Sequence, residues 1–394
     1  MRDVVVALAL RTPVGKAPRG TFRQTRPDDL CATVIRGILE KAPKLAPERI
    51  DDVIVGCAMP EGAQGMNVGR NVVLLAGLPD SVPGMTINRF CSSGLETINI
   101  GAFEIATGRT DVVIAGGTES MSMVPMGGLR YMPNPGLVLE DPDVYLGVGL
   151  TAERLAVEDD LSREAQDLFA YNSHRKALEA QAAGKHKDEI VPVTTHLSEP
   201  GPDGKTVDRE VVLDRDEGPR ADTTPEGLAK LRPAFKAGGT VTAGNSSQMS
   251  DGAAAVLLTT PQIAEELELE PLARFVDYAV AGVPPEIMGI GPVEAVPKVL
   301  KQTGLKFDQM DVVELNEAFA AQSLSVLKRL KIDPADERVN ANGGAIALGH
   351  PLGCTGTKIT VTALHELRRR KGRYAMVTMC IGTGMGAAGI FEAV

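Results

Sequence analysis

Short apolar runs and longer amphipathic stretches alternate along most of this chain. Residues 4–10 are almost wholly apolar and read as a buried strand that begins at once. Residues 28–41 have helical spacing, with Leu30, Val34, Ile38 and Leu39 on one side. A strand at 52–56, a helix continuing through 71–76, a strand at 86–90, a helix over 92–107 and an apolar strand at 111–115 follow. Such alternation predicts a layered α/β architecture.

From about residue 119 to 244 the texture changes. Pro, Gly and charge interrupt the pattern, as in Tyr131-Met132-Pro133-Asn134-Pro135-Gly136 and Glu199-Pro200-Gly201-Pro202-Asp203-Gly204. One clear helix, 163–182, sits inside. A run this long without its own structure is unusual in a compact protein, so it reads as an inserted loop domain. The order of the first half then returns. Residues 271–280 match the opening strand, and Asp311-Val312-Val313-Glu314-Leu315-Asn316 echoes Asp51-Asp52-Val53-Ile54-Val55-Gly56. Residues 340–350 lead into a helix at 355–370 as 88–91 lead into 92–107, and 374–380 parallel 111–117. The repetition predicts a duplication: one half over 1–118 completed by 245–270, a loop domain over 119–244, and a second half over 271–394. Corresponding turns carry different residues, so a site is expected between the halves.

Composition narrows the function. The 394 residues allow two or three compact units. Trp is absent and Gly abundant, which suits closely packed helices and backbone-lined sites. A net charge of −10 argues against nucleic acid as partner. It leaves room for an anionic small molecule, because local charge can oppose the average. No stretch approaches a membrane span, so no membrane insertion is expected. The five cysteines, Cys31, Cys57, Cys91, Cys354 and Cys380, are scattered and odd in number. They predict reduced thiols and a cytoplasmic location. Neither Cys nor His clusters at ligand spacing, so no metal site is expected.

Four segments carry candidate chemistry. In Asn88-Arg89-Phe90-Cys91-Ser92-Ser93-Gly94, Cys91 falls where a strand turns into a helix. The helix start offers free N–H groups and partial positive charge, which favour a thiolate nucleophile. A buried structural cysteine is the alternative. The run Asn342-Gly343-Gly344-Ala345-Ile346-Ala347-Leu348-Gly349-His350-Pro351 embeds His350 in a glycine-rich turn before a helix. That imidazole can accept the Cys91 proton or donate to an oxyanion, or be a surface-loop histidine. His174, His186, His196 and His365 sit in charged surroundings and receive no function. Cys380, in Met379-Cys380-Ile381-Gly382-Thr383-Gly384, ends a strand beside glycines and can act as an acid and base. Asn316, in Asn316-Glu317-Ala318-Phe319-Ala320, can hold a water or a carbonyl, or cap a helix. Gly384-x-Gly386-x-x-Gly389 matches a dinucleotide fingerprint. The helix, second strand and acid that the fingerprint needs do not follow, so it is rejected.

Together these segments resemble the thiolase family over essentially the whole chain. Gly116-Gly117-Thr118-Glu119-Ser120-Met121-Ser122 and Gly244-Asn245-Ser246-Ser247-Gln248-Met249-Ser250-Asp251-Gly252 add to the likeness. One departure is Thr383, where many relatives have Gly. The resemblance implies duplicated α/β/α/β/α layers with an inserted loop domain. It implies thiolytic cleavage of 3-ketoacyl-CoA to acetyl-CoA and a shortened acyl-CoA, as in fatty-acid β-oxidation. The alternatives are a biosynthetic acetoacetyl-CoA thiolase and a non-catalytic lipid-binding relative. Cys91 would form the acyl-enzyme and Cys380 would move protons. His350 with a water on Asn316 would form one oxyanion hole, and the N–H groups of Cys91 and Gly382 the other.

Coenzyme A, a substrate rather than a tightly bound cofactor, would meet Arg220, Leu231, Phe235, Ala243, Ser247, Ala318 and Phe319, with Met288 near the acyl end. Leu231 and Phe235 could equally be core, and Arg220 a surface residue. The family further implies a homodimer or homotetramer, and a β-oxidation multienzyme partner. Short-chain relatives carry a His-Met pair where this chain has Gly147 and Val148, which looks like the broad-chain degradative branch.

Overall fold

The computed structural model describes residues 1–201 and 205–394. Residues 202–204 of the Pro- and Gly-rich stretch noted above lie outside the described residues. The chain opens with β1 (Val5–Arg11), β2 (Gly15–Lys16), α1 (Pro27–Lys41), β3 (Asp52–Gly56), α2 (Val68–Leu75), β4 (Gly84–Ile87), α3 (Ser93–Ala106) and β5 (Val112–Ser120). The intervening stretch holds α4 (Pro135–Glu140), α5 (Val148–Glu158), α6 (Arg163–Ala182), the antiparallel pair β6 (Val193–Pro200) and β7 (Thr206–Leu213), and α7 (Pro225–Ala229). Next come β8 (Ser250–Thr259), α8 (Pro261–Glu266), β9 (Ala273–Gly282), α9 (Gly291–Thr303), β10 (Val312–Leu315) and α10 (Ala320–Leu330). The chain ends with α11 (Ala345–Leu348), α12 (Leu352–Arg370), β11 (Tyr374–Ile381) and β12 (Met385–Glu392).

Several boundaries differ from the sequence reading. The strand expected at 86–90 stops at Ile87, because Phe90–Ser92 tighten into a 3-10 turn. The last helix starts at Leu352 rather than 355, directly after Pro351. The intervening stretch holds more than one helix, and α5 was hidden by the glycines at its start.

One sheet runs β10-β11-β12-β9-β1-β8-β5-β3-β4, with β2 beside β8. The halves meet where β1 and β9 pair, Val5 opposite Arg274. Read outward from that junction, the order is the same on both sides. It is β1-β8-β5-β3-β4 on one and β9-β12-β11-β10 on the other, with Val339 bridging Val313 where β4 would fall. Each inner pair also carries a bulge two residues after the junction, at Ala7 in β1 and Val276 in β9. Shared order and shared bulges are what a duplication leaves behind.

The central helices α3 and α12 are covered by both halves. One core joins Leu95 and Ile98 of α3 and Val361 and Leu364 of α12 to Val6, Val113, Val377 and Phe391 of the strands. Leu30 and Ile38 of α1 and Val72 of α2 cover the outer face of the first half. Val299 of α9 and Val326 of α10 cover that of the second. The layers are therefore α/β/α/β/α.

Where α3 crosses α12, backbones touch. A Cβ on Gly94 would lie 2.7 Å from the Thr357 nitrogen, and one on Gly356 only 2.3 Å from the Leu95 nitrogen. Thr357 Oγ1 donates to the Gly94 carbonyl at 2.8 Å. The inserted stretch is anchored separately. Arg11, buried at the end of β1, donates to Glu189 at 2.9 Å and to both oxygens of Asp216 at 2.7 and 3.0 Å. Burial alone would raise both carboxyl groups, but Arg11 beside them holds them below the usual carboxylate range.

Gly356→Ala should lower stability by about 1–3 kcal/mol, because backbone rather than a flexible side chain blocks the methyl group. Gly147→Ala, whose methyl would meet nothing within 4 Å, is the control. Equal denaturant midpoints for the two variants would show that the crossing can relax.

Candidate active site

The turn that carries Cys91 is strained and clamped. Phe90 has φ of +44°, a left-handed conformation that costs a non-glycine residue about 1–3 kcal/mol. Asn88 Oδ1 accepts the Phe90 N–H at 2.7 Å, and Asn88 Nδ2 donates to the Ala58 carbonyl at 3.0 Å. Ser93 Oγ accepts the Arg89 N–H at 2.9 Å and donates to the Phe90 carbonyl at 2.7 Å. The result is a half-buried Cys91 just ahead of α3. Its own N–H and that of Gly382 both donate toward its sulfur. Burial nevertheless dominates, and the thiol is pushed up to about 11. The expected resting thiolate is therefore corrected to a neutral thiol, since two N–H groups do not repay the lost solvation.

His350 follows a turn at Gly349, whose φ is +92°. A Cβ there would come within 2.3 Å of Ser250 Oγ. The imidazole is buried. Its Nδ1 lies 2.6 Å from Thr355 Oγ1, whose hydroxyl donates to the Pro351 carbonyl at 3.0 Å. The threonine oxygen therefore accepts, and the ring proton sits on Nδ1. Nε2 lies 3.4 Å from Asn316 Nδ2, a group that only donates. This assignment leaves Nε2 as the acceptor. Burial, with Lys358 nearby, pushes the histidine down to about 3, so it is neutral.

Two buried carboxylates that the sequence reading assigned no role brace these turns. Glu317 accepts from Ser173 Oγ at 2.6 Å, Asn340 Nδ2 at 2.9 Å and the Ile346 N–H at 3.2 Å. It ties the Asn316 turn to the segment that leads into His350. Glu119 accepts the N–H groups of Ala58 at 2.7 Å, Met59 at 3.1 Å and Gly353 at 2.8 Å. It ties the end of β3 to the start of α12. The available signal was an acidic residue inside an otherwise small and apolar motif. Asn316 Oδ1 is buried with no partner among the described residues.

Cys380 lies near the end of β11, buried, and burial plus the neighbouring Cys91 push its thiol up. Thr383, in the turn beyond, has φ of +63°. That conformation suits the glycine of the resembling family and strains a β-branched residue. The following segment is β12, antiparallel to β11, so the rejected dinucleotide fingerprint lies in a turn and a strand.

One cavity of about 640 Å³ is lined by Cys91, His350 and Cys380. Arg220, Leu231, Phe235, Ala243 and Ser247 line it as well, as do Met288, Ala318 and Phe319. Asn316 and Gly382 are not on the wall and reach the site through His350 and Cys91. Leu231 and Phe235 are partly exposed rather than core. The Phe235 and Phe319 rings meet edge to face at 5.8 Å. Arg220 is exposed and pairs with Asp222 at 3.1 Å. His174, passed over in the sequence, is buried, lines the cavity and accepts the Arg220 N–H at 3.2 Å. Burial and Arg220 push it down to about 4. Nothing local marked it, because it sits mid-helix on α6. Val148 lines the cavity too, whereas an added side chain at Gly147 would meet open space. Among the described residues, no three His, Cys, Asp or Glu side chains are placed to hold a metal ion.

Iodoacetamide labelling of Cys91, followed by peptide mass spectrometry across pH, should titrate above the ordinary thiol value of about 8.5. A midpoint below that value would restore the preformed thiolate.

Comparison with known proteins agrees with this architecture. Residues 4–262 match the family model of the thiolase N-terminal domain, and residues 269–393 that of the thiolase C-terminal domain. The chain is 53% identical over 392 residues to the 3-ketoacyl-CoA thiolase of Bacillus subtilis (strain 168), covering 100% of both. It is 48% identical over 398 residues to the peroxisomal 3-ketoacyl-CoA thiolase B of Rattus norvegicus, covering 99% of this chain and 91% of that one. The crystal structure of the Bacillus anthracis acetyl-CoA acetyltransferase superposes with a TM-score of 0.89 at 41% identity, covering 100% of this chain and 99% of that one. With both domain models matched and full-length relatives near half identity, the chain belongs to the thiolase family.

Proposed function

We propose that this enzyme is an acyltransferase that cleaves 3-ketoacyl-CoA with coenzyme A, giving acetyl-CoA and a shortened acyl-CoA. The observation that carries the proposal is a single cavity lined by the Cys91 and Cys380 thiols and the neutral His350 imidazole. Full-length relatives named 3-ketoacyl-CoA thiolase support it.

The chemistry follows from the resting protonation states. As Cys91 sulfur attacks the keto carbon, its proton passes to His350 Nε2. The N–H groups of Cys91 and Gly382, already aimed at that sulfur, hold the new oxyanion. The bond between the alpha and beta carbons then breaks. The His350 N–H and a water oriented by Asn316 hold the oxygen of the acetyl-CoA enolate. Cys380 protonates the enolate carbon and becomes a thiolate. It next takes the proton of incoming coenzyme A, whose sulfur attacks the acyl-Cys91 carbonyl. Collapse releases the shortened acyl-CoA, and His350 returns its proton to Cys91. The same steps reversed would condense two acetyl-CoA. The modest Val148 on the cavity wall favours cleavage of longer chains over that biosynthetic role.

Binding and assembly are read in the same way. Arg220 faces the phosphate or adenine end of coenzyme A, which enters as a substrate. The inserted stretch 119–244 serves as the loop domain closing the site. The edge strand β4, beside an exposed Met66, suits pairing with a second copy in a homodimer or homotetramer. A β-oxidation multienzyme partner and a cytoplasmic location complete the reading. Five free cysteines support that location.

Two expected outcomes test the assignment. Cys91→Ala should abolish turnover and remove the acyl adduct seen by mass spectrometry. Cys380→Ser should lower kcat about a hundredfold or more while Cys91 still accepts an acyl group from a reactive donor. Wild-type cleavage by Cys380→Ser would end its acid and base role.

Substrate length gives the second test. Each methylene buried beyond the four-carbon substrate contributes about 0.8 kcal/mol. Thus kcat/KM should rise from acetoacetyl-CoA to medium-length 3-ketoacyl-CoA, and Gly147→His with Val148→Met should reverse the preference. A steep fall beyond acetoacetyl-CoA in the wild type would favour the biosynthetic role instead.

A further inference from the structure

The segment from Met121 to Val148 leaves the cavity and comes back to it. At its start, Met121 packs in the same cluster as Cys91, Phe90 and Leu352. Met121 and Met126 both line the cavity, and at the other end so does Val148, packed with Met288 and Cys380. Between these ends the segment shows solvent a run of large apolar side chains. Leu129, Tyr131, Met132 and Leu139 are all exposed, Met132 by 71% and Leu139 by 85%. Scattered exposed apolar residues need no explanation, but this concentration within residues 129–139 does.

The segment is also pinned. Gly127 and Gly128, at φ of +99° and +82°, turn the chain outward. Glu61 accepts the Leu129 N–H at 2.7 Å, and Leu129 Cδ1 lies 2.9 Å from where a Gly62 Cβ would be. Farther along, the Tyr131 and Tyr145 rings meet edge to face at 6.4 Å, and the Asn134 N–H donates to the Tyr145 hydroxyl at 3.1 Å. It is therefore a fixed strap.

We propose that this strap is an acyl-chain track: alkyl chains that outgrow the cavity run from Met121 and Met126 onto Leu129, Tyr131 and Met132. The inference rests on the thiolytic reading, because it takes the acyl carbon to be fixed at Cys91. The chain must then start in the cluster that Met121 shares. The cavity also has to hold the thiol-bearing arm of coenzyme A, so a long alkyl tail needs an apolar exit. The polar part of the wall, at Arg220 and Asp222, is unsuited to it. Methionines at the exit fit chains of varied shape, since the thioether is flexible and polarizable.

Two experiments separate the outcomes. The first compares kcat/KM for 3-ketohexadecanoyl-CoA with that for acetoacetyl-CoA. Leu129→Ser with Met132→Ser should lower the long-to-short ratio about tenfold, as several methylenes lose their cover. The second needs no turnover. The chain has no Trp, so Leu129→Trp supplies a single reporter. Its emission should shift to shorter wavelength with palmitoyl-CoA and stay unchanged with acetyl-CoA. An unchanged ratio together with a silent reporter would overturn the track. So would an unchanged ratio with a smaller assembly by ultracentrifugation, which would assign the apolar run to contact with a second copy. Failure of the wild type on every 3-ketoacyl-CoA would instead count against the thiolytic reading, and the reporter would still decide the track.

Discussion

The backbone contact between α3 and α12 is the constraint on which the rest of the structure depends. Cys91 lies just before one helix and His350 just before the other. With Gly94 and Gly356 at the crossing, the backbone of each helix lies against that of the other. The turns that carry both residues are thereby anchored on rigid elements. Both helices are wrapped by sheet from both halves, so the contact cannot relax without disturbing the common core. The strained Phe90 persists for the same reason: Asn88 and Ser93 fix the turn from both sides, and α3 is already in place behind it.

Depth has a chemical consequence. Burial keeps both thiols protonated and His350 neutral, so the resting site carries little charge of its own. A preformed thiolate would have to be stabilised permanently in a poorly solvated place. In the proposed mechanism the N–H groups of Cys91 and Gly382 instead meet charge that exists only while bonds are changing. The buried carboxylates show the other side of this balance. Burial raises Glu119 and Glu317, yet each is surrounded by donors that favour the ionised form. They act as braces whose hydrogen bonds are strong because water is excluded.

The alternation of strands and helices, the duplication and the turns bearing Cys91, His350 and Cys380 were legible because they are local patterns. Period, glycine spacing and a reactive residue at a strand end all fit within a dozen positions. What escaped was long-range. The protonation of Cys91 depends on its burial by parts of the chain distant in sequence, which a helix-start argument does not include. His174 became part of the cavity wall only because α6 packs beside Arg220. Leu231 and Phe235, expected at coenzyme A but equally compatible with core at helical spacing, follow the short helix α7 and line the cavity. The Thr383 departure was visible as a substitution, while its meaning needed the backbone angle.

The placement of the insertion between β5 and β8 follows from the same geometry. These strands pair along their whole length, so chain inserted between them emerges together at Glu119–Ser120 and Ser250–Asp251, next to Met121, which packs with Cys91. Material added there covers the cavity without entering the central layers. Arg11 then fixes the insertion through Glu189 and Asp216, at the far end of β1 from the junction of the halves. Removing either carboxylate would leave a buried guanidinium with reduced compensation, which is costly. The duplicated core is thus bound by backbone contact and has little freedom to change. The insertion is held outside the central layers, by the Arg11 ion cluster, the buried Ser173–Glu317 hydrogen bond and small apolar clusters such as Ala170 and Leu228 with Ala320 and Ile346, so it can vary without disturbing those layers.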